Sequence, residues 1–174
     1  MGCGWLVLSV IRIVAGVIIA LVLTGEVIAG PIEDAWTAYQ RGDFATALEI
    51  WRPRATQGVA FAQLNVGIMY YSGQGVPQDY GEAAKWYRLA AEQGNATAQS
   101  NLGSMYYSGQ GVPQDYVQAY MWVDLAASRF PPSARGDRDE AASHRNVVAS
   151  KMSREQLAEA KKLLREWKPK GPAR

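Results

Sequence analysis

A segment of twelve residues, MYYSGQGVPQDY, occurs twice in this chain, at residues 69–80 and again at residues 105–116. The two copies are 36 residues apart, and further identities at the same offset flank them: Ala62 and Ala98, Gly67 and Gly103, Trp86 and Trp122, Leu89 and Leu125. A period of this length is typical of stacked-repeat proteins, in which each unit buries its apolar face only against its neighbours. The repeat therefore sets the architecture of the chain.

A degenerate unit precedes the two complete ones. The residues at the same offset still match in part: Asp43, Phe44, Ala47, Ala55, Gln57 and Gly58 correspond to Asp79, Tyr80, Ala83, Ala91, Gln93 and Gly94. About four residues are missing from this unit where residues 72–76 stand in the next one. The chain is therefore predicted to hold about three units.

Each complete unit is predicted to contain two helices separated by the run SGQGVPQ, because glycine and proline interrupt helices. Asp79 and Asp115 follow this run and are suited to cap the second helix of their units. Glu82 and Gln118 stand three residues later, which predicts a capping box in both units. Gly94 is a suitable left-handed residue to end the second helix.

Two glycines and several aromatic residues lie at helical spacing. Gly67 and Gly103 each cost roughly 1 kcal/mol relative to alanine inside a helix, so we expect close helix packing to compensate. The aromatic residues at helical spacing are interpreted mainly as inter-helix core. These are Tyr70, Tyr106, Trp86 and Trp122.

The repeat resembles the Sel-one-like repeat (SLR) family, which is related to tetratricopeptide repeats. The resemblance rests on the text AQxNxGxMYYSGQGVPQDYxxAxxWYxxAAEQG at residues 62–94, with a second copy at residues 98–127. It implies an all-α fold, an α/α superhelix of about three helix-pair repeats with a C-terminal helical cap. It also implies a protein-interaction scaffold without catalytic activity or cofactor.

The resulting domain prediction has three parts. Residues 1–29 are a signal peptide or membrane anchor, residues 30–131 hold the repeats, and residues 132–174 form the helical cap. The repeats divide into a degenerate unit at 30–58 and complete units at 60–94 and 96–127. In the cap, Ser153 and Gln156 predict a capping box, and an apolar stripe follows that is suited to cover the end of the stack: Leu157, Ala160, Leu163, Leu164 and Trp167.

The N-terminal segment predicts export. Residues 5–23 are nearly all apolar, interrupted only by Ser9, Arg12 and Gly16, and Val27, Ile28 and Ala29 form a small-residue cleavage site. We therefore expect a periplasmic or secreted protein. An uncleaved segment that anchors the chain in the inner membrane is the alternative.

Charge and composition argue against several kinds of chemistry. Residues 30–128 carry five basic and nine acidic residues, a net charge of −4, whereas residues 129–174 carry twelve and six, a net charge of +6. Acidic residues interleave with the basic ones, and export removes the chain from nucleic acid, so no nucleic-acid partner is expected. Cys3 and His144 are the only residues of their types, which excludes an ordinary zinc site, and His144 is interpreted as a solvated surface residue.

The predicted binding surface lies on the first helices of the complete units, which the resemblance assigns to a concave groove. Tyr71 and Tyr107 each follow a core tyrosine and so point about 100° away from it. Asn65 and Asn101 are the favoured contacts, because an amide both donates to and accepts from a peptide backbone, although plain repetition of an ancestral sequence explains them equally well. The predicted contact residues are Phe61, Asn65, Ile68, Tyr71, Thr97, Asn101, Ser104 and Tyr107.

Three functions remain open from sequence. The first is an envelope module that binds a segment of another protein in its groove. The second is a degenerate envelope enzyme or a peptidoglycan-interacting protein, which the lack of any nucleophile, metal or paired-carboxylate motif opposes. The third is an accessory subunit of a larger complex, held at the membrane by its N-terminal segment.

Overall fold

The computed structural model of the protein describes residues 31–171, and these residues form helices connected by short loops, with no strand among them. The predicted signal peptide or anchor at residues 1–29 lies outside the described residues. The helices are α1 (Pro31–Gln40), α2 (Phe44–Thr56), α3 (Ala60–Ser72), α4 (Tyr80–Glu92), α5 (Ala96–Ser108), α6 (Tyr116–Arg129), α7 (Arg135–Ala149) and α8 (Arg154–Glu166).

The helices pack as consecutive antiparallel neighbours along the chain. The three pairs are α1 with α2, α3 with α4 and α5 with α6, and α2 packs on α3 as α4 packs on α5. Then α7 packs on α6, and α8 also packs on α6. The all-α superhelix of three helix pairs with a C-terminal helical cap is therefore confirmed.

The two identical loops adopt the same conformation and make the same hydrogen bonds. Gly73 and Gly109 are left-handed, with φ of 69° and 75°, which glycine adopts without strain. The amide nitrogens of Gln74 and Gln110 donate to the carbonyl oxygens of Met69 and Met105, at 3.0 and 3.2 Å. The side chains of Gln78 and Gln114 also donate to the carbonyls of Tyr71 and Tyr107. The repeated sequence therefore produces a repeated loop.

The predicted caps form, but the predicted capping boxes are only half right. Asp79 accepts from the Glu82 amide, and Asp115 accepts from the amides of Val117 and Gln118. The reciprocal bond is missing because the Asp79 amide already donates to the Tyr70 carbonyl at 2.9 Å. The complete capping box predicted at Ser153 is present.

Gly67 and Gly103 lie where the two helices of each complete unit approach closely. A Cβ on Gly67 would lie 2.7 Å from the Tyr87 ring of α4. A Cβ on Gly103 would overlap Val123 of α6, which occupies the position 36 residues after Tyr87. The predicted close packing is confirmed, and the glycines allow α3 and α5 to approach their partner helices.

Buried glutamines connect successive units. The Gln63 side chain, 3% exposed, donates to the Ala55 carbonyl at 3.1 Å, and its oxygen accepts from Gln93 at 2.7 Å. Gln99 repeats the first bond, to Ala91 at 3.0 Å, but its own oxygen has no partner among the described residues. Arg129 stands where the repeat would place the second glutamine.

The C-terminal helix completes the core, as its apolar stripe predicts. Leu163, Leu164 and Trp167 pack against the central cluster, and the Trp167 ring meets the Trp122 ring edge-on with their centroids 6.4 Å apart. The Arg129 guanidinium lies 4.2 Å from the Trp167 ring centroid, which is a cation–π contact. Arg129 is therefore engaged with the cap instead of Gln99.

The asymmetry between the two glutamines predicts unequal costs of replacing them. Gln63→Leu removes two hydrogen bonds, whereas Gln99→Leu removes one and also eliminates an unpaired buried oxygen. We expect Gln63→Leu to lower the free energy of unfolding by about 1 kcal/mol more than Gln99→Leu. Urea unfolding of the two variants and the wild type measures this difference, and equal losses would contradict the hydrogen-bond assignment.

The close approach at Gly67 predicts that alanine destabilises the protein there, despite its better helix propensity. Gly67→Ala pushes into the Tyr87 ring, and we expect a loss of about 2 kcal/mol in the free energy of unfolding. Gly136, in the first turn of α7, is the matched control because nothing lies within 4 Å of an added Cβ. Gly136→Ala should gain about 0.5 kcal/mol in the same thermal or urea measurement, and a stable Gly67→Ala variant would refute the packing account.

Candidate functional site

A cleft of about 360 Å³ opens between the first helices of the two complete units. We call it the first-helix cleft. Residues from α3, α4, α5 and the following loop line it: Ile68, Tyr71, Tyr87, Asn101, Ser104, Met105 and Gln110. None of these side chains carries a charge at neutral pH, so the cleft offers hydroxyl and amide groups beside apolar surface.

Tyrosines shape the floor and the rim of the cleft. Tyr87 is only 2% exposed, and burial raises the pKa of its hydroxyl, the neighbouring Tyr71 raises it further, and the Asn101 side chain opposes the shift. Tyr71 is 38% exposed, and its hydroxyl donates to the Gln110 side-chain oxygen at 3.3 Å. Its ring meets Tyr80 edge-on, with centroids 5.1 Å apart. The Tyr87 side chain thus forms the buried floor of the cleft, and the exposed Tyr71 side chain forms its rim.

The structure brings four of the eight predicted contact residues together in this cleft: Ile68, Tyr71, Asn101 and Ser104. Phe61 and Thr97 are exposed in the first turns of α3 and α5. Tyr107 is partly buried near the C-terminal end of α5, with its ring beside that of Tyr116.

The two asparagines predicted as equivalent contacts lie in different surroundings. Asn101 lines the cleft, whereas Asn65 is 4% exposed and donates its side-chain amide to the Phe61 carbonyl at 2.8 Å. The Asn65 donor is therefore used within its own helix.

On the far side of α5, His144 of α7 lies against the surface equivalent to the cleft. The His144 ring of α7 meets the Tyr107 ring edge-on at 5.3 Å between centroids, and its Nδ1 lies 3.4 Å from the Ser104 hydroxyl. His144 was expected to be solvated, but this contact leaves it only partly exposed. Burial lowers the pKa of His144, and Glu140 opposes that shift.

Sequence reasoning missed Tyr87, Met105, Gln110 and Trp36. The sequence holds a signal for Tyr87: its counterpart at position 123 is valine, so the tyrosine is a departure from the repeat. Trp36 aligns with Ile68 once the missing four residues of the first unit are allowed for, and it is 43% exposed while stacked on Tyr39. The exposed aromatic surface thus begins on α1.

The described residues contain no group of three or more His, Cys, Asp or Glu that could hold a metal ion. A search of the same residues for a helix long and apolar enough to cross a membrane also found none. The cleft lining itself contains neither a carboxylate nor a histidine.

Comparison with protein families matches the Sel1 repeat to residues 60–95 and again to residues 96–129. Residues 60–129 belong to the Sel1 repeat family. The two Sel1 repeats coincide with α3 and α4 and with α5 and α6, so the first-helix cleft lies between one repeat and the next.

Two solved structures are similar to this chain. One is a protective antigen present in uropathogenic Escherichia coli strains, described as displaying an SLR fold; it is 34% identical, with a TM-score of 0.70 over 80% of this chain. The other is a Sel1 repeat protein from Oxalobacter formigenes, 41% identical over 53% of this chain, with a TM-score of 0.49. This chain spans 30% and 27% of their lengths. No curated protein matched.

Sel1 repeat proteins are in general non-catalytic scaffolds for protein–protein interaction. The repeat match therefore supports the general role that the sequence predicts, a scaffold for protein–protein interaction. The first-helix cleft presents uncharged polar and apolar surface for such contact.

The burial of His144 predicts a pH-dependent stability term. In the unfolded chain His144 takes up a proton near pH 6.5, whereas the folded chain resists protonation until a lower pH. The unfolded state then holds more protons, so the free energy of unfolding falls as the pH is lowered from 7 to about 5.5. His144→Asn should lose less stability than the wild type over this interval, as measured by urea unfolding. An equal loss in both would show that α7 does not bury the imidazole.

Proposed function

We propose that this chain is a non-catalytic scaffold of the bacterial cell envelope that binds an extended segment of another protein in the first-helix cleft. The observation that carries the proposal is the cleft itself, formed by consecutive Sel1 repeats and lined by uncharged polar and aromatic side chains. A partner segment replaces the water in this cleft and forms hydrogen bonds with its amide and hydroxyl groups.

The lining defines the kind of segment that fits. The Asn101 and Gln110 amides and the Ser104 hydroxyl can pair with the N–H and C=O groups of an extended backbone. Ile68 and the exposed Tyr71 ring supply apolar contact for one side chain of the partner. No charged group lines the cleft, so the partner contributes an uncharged residue there, because an unpaired buried charge is costly.

The wider contact set includes the exposed predicted residues Phe61 and Thr97 on the same two helices, and Trp36 of α1 extends the surface in the N-terminal direction. Phe61 and Trp36 are 41% and 43% exposed and supply apolar surface for contact with a partner. With three helix pairs the surface is short, and the affinity is modest.

The proposed envelope location rests on the sequence of residues 5–29, which has the apolar core and small-residue end of an export signal. Cleavage after Ala29 releases the repeats, whereas an uncleaved segment holds them at the membrane as an accessory subunit. N-terminal sequencing of the protein from cell fractions distinguishes a chain that begins at Gly30 from one that begins at Met1.

Site-specific photocrosslinking in cells tests the binding site. A photoreactive amino acid at Ser104, inside the cleft, should give one discrete adduct with another protein, and Ile68→Asp should abolish that adduct by placing a charge in the cleft. The crosslinked peptide, identified by mass spectrometry, should be an uncharged segment of the partner.

The matched control carries the same photoreactive residue at Glu49, an exposed position on the second helix of the first pair. It should not give the Ser104 adduct. The same adduct from both positions, or an adduct from Ser104 that persists in the Ile68→Asp variant, would rule out the first-helix cleft as the binding site.

A further inference from the structure

A second groove, of about 420 Å³, lies on the side of the molecule formed by the second helices. We call it the α4 groove. It is lined by residues of α4 and of the loop that precedes α6: Gly81, Ala84, Lys85, Arg88, Leu89, Gly111 and Val112. Leu89 is 43% exposed there, one of the most exposed large apolar side chains in the described part of the chain.

The counterpart of this surface in the next unit is covered by the chain itself. Leu125 stands 36 residues after Leu89 and is only 5% exposed, and Met121, the counterpart of Lys85, is also 5% exposed. Both belong to the cluster that α8 completes with its apolar stripe, and α8 packs directly on α6. The molecule thus shows how an amphipathic helix covers the second helix of a Sel1 repeat.

The α4 groove has a fixed wall. Gly111 is left-handed, with φ of 69°, and its backbone lies so close to the Tyr80 carbonyl that no Cβ could be accommodated. This contact holds the loop of the following unit against the start of α4, and Val112 of that loop faces the groove. A partner therefore meets a preformed surface and does not have to order it on binding.

The rim of the groove carries positive charge. Lys85 is paired with Glu82 at 2.5 Å, while the Arg88 guanidinium donates to the Tyr106 hydroxyl and, among the described residues, forms no ion pair. On α6 the counterpart of Arg88 is Asp124, which is paired with Arg145 at 3.0 Å. The α4 groove is thus more basic than the corresponding surface of α6. A helix that fits the groove therefore differs from α8 in charge.

We propose that the α4 groove binds an amphipathic helix of a partner protein. That helix presents an apolar stripe spaced like Ala160, Leu163, Leu164 and Trp167 to Leu89 and Val112, and it carries acidic residues beside the stripe that face Lys85 and Arg88. This surface lies on the second helices and is independent of the first-helix cleft.

Two synthetic peptides test this assignment against the full-length protein. One has the native sequence of residues 152–170, and the other carries Lys161→Glu, Lys162→Glu and Arg165→Glu, which keep the apolar stripe and make its flanks acidic. In fluorescence anisotropy, the acidic peptide should bind about tenfold more tightly than the native one, and added salt should narrow that difference.

Protein variants locate the binding. Leu89→Asp should weaken binding of the acidic peptide by about tenfold or more, since it places a charge on the apolar floor of the groove. Val147→Asp is the matched control, because Val147 is 45% exposed on α7, outside the groove, and its variant should bind as the wild type does. Circular dichroism of both variants checks that the helices remain folded.

Methyl-group NMR separates the groove from the other surfaces. The acidic peptide should shift the methyl signals of Leu89 and Val112 and leave those of Leu125 and Ile68 unchanged. Shifts at Leu125 would mean that the peptide displaces α8, and shifts at Ile68 would mean that it enters the first-helix cleft. Either result, or no binding of the acidic peptide at about 1 mM, would overturn the proposal.

Discussion

Each helix pair of this protein buries its apolar residues against the next pair, and every other feature depends on that contact. Within each complete pair, Gly67 and Gly103 let the first helix approach the second closely. Gln63 and Gln99 make the contact between pairs specific, because each donates to a carbonyl of the preceding unit from a fully enclosed position. A unit without its neighbour would expose this apolar and polar surface to water.

The two complete repeats share their loops and caps but differ where they meet other parts of the chain. Tyr87 and its counterpart Val123 both pack on a glycine, yet only Tyr87 reaches the first-helix cleft. Leu89 is open and its counterpart Leu125 is covered by α8. The two proposed surfaces therefore arise from departures from the repeat and from the place of each unit in the stack.

Much of the fold and part of the site could be predicted from the residues. Ile68, Tyr71, Asn101 and Ser104 were expected on one surface because helical spacing places them on one side of α3 or α5. Asn65 matches Asn101 in sequence but bonds to its own helix, and His144 is held against Tyr107 by a helix outside the repeat. Such differences follow from contacts between residues that are distant in sequence, and the repeat period alone does not predict these contacts.

The sequence by itself determined the helix pairs, the caps at Asp79 and Asp115, and the repeated loop, because these depend on interactions within a few residues. Tertiary structure decided which copy of each repeated residue is exposed. The physical reason is that a stack has ends: α7 and α8 cover the last unit, whereas the middle unit keeps both a cleft and a groove open to solvent.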